Sequence, residues 1–144
     1  MANEHNLLAL GDKRFLSLTT FRKSGEPVST AVWIGREGDT LIVTTPEASG
    51  KVTRIRNDPR IEVRPCNRFG HVKDGVEAVA GLVDDVIDEA SQPRLTELFR
   101  KKYGLEYRIF MLIEGLMKSN RSNRVILRIV PADKHGGSTP SSRG

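Results

Sequence analysis

The chain has 144 residues, of which 38% are hydrophobic and 28% are charged, and it contains one cysteine. This length and composition indicate one globular domain and exclude a wholly disordered chain, an intramolecular disulfide and a cysteine-rich zinc site. The 23 Lys and Arg residues outnumber the 18 Asp and Glu residues, so the net charge is +5, which favours an anionic partner such as nucleic acid, a phosphate-bearing ligand or a lipid headgroup.

Three strands are predicted in the first third of the chain. Residues 15–21, 27–34 and 41–45 are rich in aromatic and β-branched side chains, and polar turns that contain glycine separate them. The strand at 27–34 has apolar side chains on both faces, with Trp33 on the second face. Either a later helix or a second copy of the chain must cover that face. We expect the second copy, and therefore a homodimer, because an interface offers Trp33 enough area to bury.

The rest of the chain predicts a short helix, two strands, two helical pieces separated by Gly104, and a closing strand. These elements are residues 49–58, 60–66, 76–87, 93–103, 105–117 and 125–130. The apolar side chains of the second helical piece predict that it packs on the sheet. Because this order leaves few places for a parallel crossover, it predicts a mainly β fold, an antiparallel barrel of six strands with short accompanying helices.

From the residues at the two ends of the chain we expect neither a targeting signal nor a membrane span. The first five residues are polar, and the longest apolar run, residues 109–113, is too short to cross a bilayer. We predict one domain over residues 1–134 and a disordered tail, rich in Gly, Ser and Pro, over residues 135–144. The expected location is the cytoplasm, with no membrane span.

The start of the short helix is a candidate anion site. Ser49, Gly50 and Lys51 lie in its first turn, where free N–H groups and the positive end of the helix dipole favour an anion. Lys51 has the wrong sign for that dipole, and an anion in front of it would explain its presence. Arg54 and Arg56 add positive potential from the same helix.

The alternative is that these basic residues are simply solvated. In that case Ser49 caps the helix and Glu47 partly neutralises Lys51, and composition alone favours this interpretation because charged residues are usually at the surface. Ser-Gly-Lys is also not a Walker motif, since the glycine-rich loop that should precede it is missing. The residues by themselves leave both possibilities open.

Other polar residues predict neither a metal site nor a catalytic residue. His5, His71 and His135 are too scattered for metal ligation or a Ser-His-Asp set. Cys66 lies between Arg64 and Arg68, which could lower its pKa, but it is more typical of a small apolar filler.

Two groups of charges are predicted to be structural. The acidic residues between positions 84 and 89 are interpreted as charges at a helix N-terminus. The basic residues near the last strand are interpreted as solvated surface charges: Lys118, Arg121, Arg124 and Arg128.

Three segments carry a family resemblance. Residues 15–33 (FLSLTTFRKSGEPVSTAVW), 49–60 (SGKVTRIRNDPR) and 63–66 (VRPC) resemble the split β-barrel flavin and deazaflavin oxidoreductases. The nearest branch is the pyridoxamine-phosphate-oxidase-like class that uses the deazaflavin coenzyme F420, and the similarity runs from about residue 13 to about residue 131.

The resemblance implies an FMN-binding split-barrel fold, a homodimer with two clefts at the subunit interface, and coenzyme F420 as cofactor, with FMN as the alternative. It implies an enzyme that transfers hydride from the reduced deazaflavin to an electron-poor small organic acceptor, the proton coming from solvent. An FMN-dependent oxidoreductase and a non-catalytic flavin or deazaflavin carrier remain as alternatives. Nucleic-acid binding is not predicted, because an aromatic content of 6% provides few stacking platforms.

The resemblance also implies positions for the cofactor. The residues that would line the flat ring system, hold the phosphate or help to bind the anionic tail are Thr30, Ala31, Val32, Thr44, Thr45, Ser49, Gly50, Lys51, Arg54 and Arg56. The chain departs from the family pattern at Ala31, where many members have proline, and at Asn67, where an acidic residue is common.

Overall fold

The computed structural model describes residues 2–118 and 123–132, and six antiparallel strands form a closed barrel in the order β1-β2-β3-β6-β5-β4. The strands are β1 (Phe15–Phe21), β2 (Pro27–Glu37), β3 (Thr40–Pro46), β4 (Arg60–Pro65), β5 (Val79–Asp88) and β6 (Arg124–Pro131). The helices are α1 (Ala2–Ala9), α2 (Gly50–Asn57) and α3 (Pro93–Lys118). The predicted mainly β, six-stranded antiparallel barrel is confirmed, although α3 is longer than the short helices expected.

Helix α1 was not predicted from the sequence. It is followed by a 3-10 turn, Leu10–Asp12, and its leucine side chains pack into the barrel core, with Leu7 fully buried. Helix α1 contacts β3, β5 and β6. Its consecutive leucines do not show a helical period, so packing against the strands rather than local pattern accounts for this helix.

The barrel interior is filled by the inward side chains of all six strands together with leucines of the N-terminal segment and two residues of α2, Val52 and Ile55. Along β1 and β2 the side chains point alternately into the barrel and away from it, as the period of two along a strand requires. Leu16 and Leu18 lie opposite Val32 and Thr30 in the register, so these four side chains share the inner face. Helix α2 therefore contributes its apolar face to the core and leaves its basic residues outside it.

The outer face of β2 and β3 is covered by α3 of the same chain. Trp33 stacks on Tyr103, with ring centroids 4.6 Å apart, and lies 5.7 Å from the ring of Tyr107. The expectation that Trp33 needs a dimer interface is therefore wrong, because the tyrosines of α3 provide the apolar surface that it packs against.

Two polar side chains of α3 hold the helix to the barrel. The Tyr103 hydroxyl accepts a hydrogen bond from the Ile34 amide (3.0 Å) and donates one to the Arg14 carbonyl (2.7 Å). Burial raises the pKa of Tyr103 to about 12, so the hydroxyl keeps its proton. The Lys102 ammonium group donates to main-chain carbonyls that include that of Ile34 (2.8 Å). The first half of α3 is thus tied to the start of β1 and to β2.

Gly104 divides α3 into two pieces, as the sequence predicted. Its angles (φ 53°, ψ −124°) are non-helical and lie in a region that side chains other than glycine rarely adopt. Beyond the kink, Leu105, Ile109 and Leu112 are exposed by 69%, 49% and 65%. The prediction that this piece packs on the sheet is wrong for these residues, whereas Tyr107 of the same piece is buried in a cluster with Ile42 of β3 and Ile126 of β6.

The pairing of β2 with β3 covers only part of their length. It runs from Glu37 opposite Thr40 to Ile34 opposite Val43 and stops there. Beyond that point residues 27–33 pair with β1, and residues 44–46 pair with β6. The two strands therefore separate, which leaves an opening between residues 31–33 of β2 and residues 44–46 of β3.

No helix within residues 2–118 and 123–132 combines the length and apolar character that a membrane crossing requires. The disordered tail predicted for residues 135–144 falls outside the described residues.

Candidate functional site

A cavity of about 830 Å³ lies where β2 and β3 separate. Its walls come from the starts of β1, β6 and α2, the facing parts of β2 and β3, the second piece of α3 and the loop after β4. The lining residues are Phe15, Ala31, Val32, Trp33, Thr44, Thr45, Pro46, Lys51, Arg68, Leu105, Glu106, Ile109 and Arg124. The cavity thus has an aromatic and aliphatic part together with three cationic side chains.

Half of the predicted cofactor residues line this cavity, and half do not. Those in its wall are Ala31, Val32, Thr44, Thr45 and Lys51; those outside it are Thr30, Ser49, Gly50, Arg54 and Arg56. Thr30 alternates with Ala31 along β2 and lies opposite the core residue Leu18, and its buried hydroxyl has no hydrogen-bond partner among the residues that the structure describes. Its side chain therefore lies on the barrel side of the strand, away from the cavity.

Helix α2 begins without a side-chain cap. The Ser49 side chain makes no capping hydrogen bond, and its Oγ lies 3.4 Å from Thr45 Oγ1 instead. No acidic residue lies in the first turn. The positive end of the helix dipole, beside the cavity, is thus left without a neutralising carboxylate in that turn.

Lys51 is the half-buried cation of that first turn. Burial, and then the charges of Arg54 and Arg124, hold the pKa of Lys51 below its ordinary value of 10.5. Glu47, the expected partner of Lys51, pairs with Arg56 at 3.8 Å. Within the described part of the chain, Lys51 has no hydrogen-bond or ion-pair partner, so its charge is left for a ligand.

Arg54 lies behind the start of its own helix. Its Nε donates to Thr20 Oγ1 (2.7 Å), and a Cβ built at Gly50 would lie 2.8 Å from Arg54 Nη1. A side chain at position 50 would therefore require the end of the flexible Arg54 side chain to shift from its place over the first turn of α2. Arg54 adds positive charge to this turn without lining the cavity.

Arg124 enters the cavity wall from β6. Its Nε donates to Thr44 Oγ1 (3.2 Å) and lies 3.8 Å from Glu89 Oε1, and the Arg124 and Glu89 side chains are only 13% and 14% exposed. The interpretation of Arg124 as a solvated surface charge is therefore wrong. Arg124 lies opposite Pro46 in the β3–β6 register, and this pairing places it beside Thr44 and Thr45 of β3.

The acidic residues between positions 84 and 89 are divided among several roles. Asp84 accepts a hydrogen bond from Arg128 (2.9 Å) across the β5–β6 pair, and Asp88 accepts one from the Ala90 amide. Glu89 binds Thr44 and Thr96. The prediction of charges at a helix N-terminus describes Asp88 and Glu89, at the 3-10 turn Glu89–Ser91, but not Asp84.

Sequence reasoning missed the residues that reach the cavity from distant parts of the chain. Arg68 comes from the loop after β4, whose Gly70 would place a Cβ 3.7 Å from that of Ala31. Glu106, which is the only carboxylate among the described lining residues, is ion-paired with Arg14. No local motif marks these positions, since only the fold brings them together.

Cys66 does not line the cavity, and burial raises the pKa of its thiol. The two neighbouring arginines therefore do not activate it, which agrees with its interpretation as a filler. Asn67, where the family pattern has an acidic residue, accepts hydrogen bonds from the Phe69 and His71 amides and thereby shapes the loop.

Solved structures show the same fold at low sequence identity. An F420 reductase aligns with a TM-score of 0.57 at 20% identity, covering 86% of this chain and 91% of its own. General Stress Protein 26 from Bacillus anthracis str. Sterne aligns with a TM-score of 0.55 at 22% identity, covering 91% and 90%.

HutZ, the heme storage protein from Vibrio cholerae, aligns with a TM-score of 0.57 at 13% identity, covering 83% of this chain and 82% of its own. Identities this low show the fold alone. The search of curated proteins produced no significant match.

The family model described as pyridoxamine 5'-phosphate oxidase matches residues 4–134, which include all six strands and every residue of the cavity wall. The chain therefore belongs to the pyridoxamine 5'-phosphate oxidase family of split β-barrel proteins.

Proposed function

We propose that this chain is an oxidoreductase that binds coenzyme F420, or FMN as the alternative, and reduces an electron-poor small organic acceptor. The observation that carries the proposal is Lys51, a half-buried cation in the cavity wall with no partner among the described residues. A buried charge without a partner is costly unless a ligand compensates it. A phosphate-bearing cofactor supplies that compensation.

The cationic part of the cavity fits the phosphate of either cofactor. Lys51, through its ammonium group and its backbone N–H in the first turn of α2, would hold the phosphoryl oxygens, with Arg124 in the same wall and Arg54 behind the turn. Arg68 offers a further cation for an anionic substituent. Arg56 is ion-paired with Glu47, so we assign it no direct role in binding.

The apolar part fits a flat ring system. Trp33, Phe15 and Leu105 provide aromatic and aliphatic walls, and the backbone of Ala31 and Val32 lies in the cavity wall, where it can hydrogen-bond the polar edge of a ring. The Thr44 hydroxyl donates to Glu89 (2.8 Å), so its proton is not available to the ring. These walls position the ring and exclude water from it.

A reduced deazaflavin or flavin held in this cavity would supply the hydride for reduction of the acceptor, and the reduction would also require a proton. Glu106 is ion-paired with Arg14, which leaves no unpaired carboxyl group among the described lining residues. We therefore propose that the proton comes from solvent, and we assign no catalytic residue.

We also propose a cytoplasmic homodimer. Leu105 and Ile109 line the cavity, and with Leu112 they continue it as an apolar stripe whose members are 49–69% exposed. An exposed stripe of this kind marks an interaction surface. A second copy that covers it would complete the cavity wall, in agreement with the clefts at the subunit interface that the family resemblance implies.

The test is cofactor binding and turnover with the purified protein. We expect F420 or FMN to bind and the Lys51→Ala variant to bind it at least about tenfold more weakly, the size of one charge-assisted hydrogen bond. The matched control is Lys23→Ala, an exposed lysine in the β1–β2 turn that should leave affinity unchanged. Unchanged affinity of Lys51→Ala would contradict the proposed site.

A non-catalytic carrier is the second candidate, favoured by the appearance of the same fold in a heme storage protein. Turnover with the reduced cofactor and a panel of enones, quinones and conjugated pyrroles separates the two candidates. Oxidation of the cofactor that depends on the acceptor supports the oxidoreductase. Tight binding without such oxidation supports the carrier.

A further inference from the structure

A chain of hydrogen bonds connects α3 with the cavity wall through Glu89. Thr96 Oγ1 donates to Glu89 Oε2 (3.0 Å), and Thr44 Oγ1 donates to Glu89 Oε1 (2.8 Å). Thr44 Oγ1 in turn accepts from Arg124 Nε (3.2 Å). These four residues come from α3, β3, β6 and the turn between β5 and α3, so they meet only in the folded chain.

The direction of these bonds is determined by the groups themselves. A carboxylate only accepts and a guanidinium only donates, whereas a hydroxyl does both. The Thr44 hydroxyl therefore gives its proton to Glu89 and presents a lone pair to Arg124. With Nε engaged, the planar guanidinium is held in one orientation against the wall.

Glu89 lies behind Arg124 as seen from the main cavity. Arg124 lines both the main cavity and a neighbouring one of about 400 Å³, whereas Glu89 lines the neighbouring one alone. The carboxylate can thus stabilise the guanidinium without presenting its own charge to an anion in the main cavity.

Arg124 needs such a partner because it is almost buried beside another cation. Its side chain is 13% exposed, and its charge is one cause of the lowered pKa of Lys51. Removing the carboxylate would take away the negative charge that lies 3.8 Å from this nearly buried guanidinium, which favours its displacement toward solvent.

From this geometry we infer that Glu89 is a positioning residue: through Thr44 it fixes the Arg124 guanidinium in the cavity wall, where Arg124 binds the anionic group of the cofactor. This inference rests on the proposed function and extends it to two residues that neither the family resemblance nor the sequence pattern singled out as cofactor ligands.

The test is a double-mutant cycle on the affinity for F420 and FMN, measured by fluorescence titration. We expect Glu89→Gln and Arg124→Met each to weaken binding about tenfold, the size of one charge-assisted hydrogen bond. The double variant should bind no more than about twofold more weakly than Arg124→Met, because Glu89 acts through Arg124.

Other outcomes overturn the inference. If Glu89 acted only through its negative charge, Glu89→Gln would tighten the binding of an anion, and it would do so in the Arg124→Met background as well. If Glu89 acted only by supporting the fold, its loss would add to that of Arg124→Met. Unchanged affinity of Glu89→Gln would also reject the positioning role.

Two further variants keep the test decisive. Asp84→Asn removes a carboxylate of β5 that pairs with Arg128 of β6 outside the cavity wall, and it should leave affinity unchanged. Should Glu89→Gln fail to fold, Thr44→Val breaks the same connection with the Glu89 charge retained, and it should cause the same loss of affinity.

The wild-type protein separates failure of the proposed function from failure of the positioning role. Wild-type protein that binds neither cofactor would refute the proposed function itself. Wild-type binding with no effect of Glu89→Gln or Thr44→Val would refute the positioning role alone.

Discussion

At the scale of single residues, two cations of the cavity wall differ in whether a carboxylate of the chain lies near enough to neutralise their charge. Arg124 has a carboxylate behind it, whereas Lys51 has neither an ion-pair nor a hydrogen-bond partner within the described residues. This difference assigns different roles to two cations of the same wall. We therefore expect the electrostatic energy of Lys51 to become more favourable when an anion binds beside it.

The lowered pKa of Lys51 predicts how binding depends on pH. Anion binding needs the ammonium form, so affinity should fall as the pH rises through the folded-state pKa, which lies below 10.5. Between that pKa and the higher unfolded-state value the unfolded chain binds more protons, so the free protein should gain stability as the pH rises.

Calorimetric titration of FMN or F420 from neutral to alkaline pH measures the effect on affinity. Lys51→Arg keeps its charge over this range and should remove most of the dependence on pH. If the affinity of Lys51→Arg fell with rising pH as much as that of the wild type, the pH dependence would come from a group other than Lys51.

At the scale of elements, α3 has two functions that Gly104 separates. The first piece stacks Tyr103 on Trp33 and holds the helix to the barrel. The second piece contributes Leu105, Glu106 and Ile109 to the cavity. The direction of the second piece, and therefore the shape of the cavity, depends on backbone angles that only glycine adopts without strain.

Gly104→Ala should therefore affect both stability and binding. We expect a loss of about 1–3 kcal/mol in the free energy of unfolding, from strain at φ 53° and ψ −124°, together with weaker binding of the cofactor. Urea denaturation and fluorescence titration measure the two effects. Gly38→Ala is the control: its φ of 61° is also positive, but it lies in the β2–β3 turn and should leave affinity unchanged. Equal affinity of Gly104→Ala and wild type would show that the kink does not shape the site.

At the scale of the whole molecule, the exposed stripe of α3 connects the cavity with the proposed dimer. Trp33 provides no argument for the dimer, because α3 covers it within one chain. The argument is now the run of Leu105, Ile109 and Leu112, which the same chain leaves exposed next to its own cavity.

Leu112→Glu should convert the dimer into a monomer and weaken cofactor binding, because a carboxylate in an apolar interface is costly to desolvate. Sedimentation velocity at micromolar concentration measures the first effect, and fluorescence titration the second. Lys101→Gln, at an exposed position in the first piece of α3, lowers the net charge by the same one unit and should leave the dimer intact. A monomeric wild-type protein that binds cofactor normally would contradict the dimer.

The sequence by itself determined most of the secondary structure, because local chemistry specifies it. Alternating side chains and glycine turns predicted all six strands, the short helix predicted over residues 49–58 corresponds to α2, and Gly104 predicted the break in α3. The basic residues of α2 also marked a candidate anion site, although sequence alone could not choose between a ligand and solvent.

Only the tertiary structure decided which residues meet. Thr44 contacts Glu89 and Arg124 across 45 and 80 positions of sequence, and no local pattern records such separations. The same holds for α1, whose leucines need the barrel to pack against, and for the covering of Trp33. Strand formation depends on neighbours in the chain, whereas the cavity depends on where β2 and β3 stop pairing, and that is a property of the closed barrel.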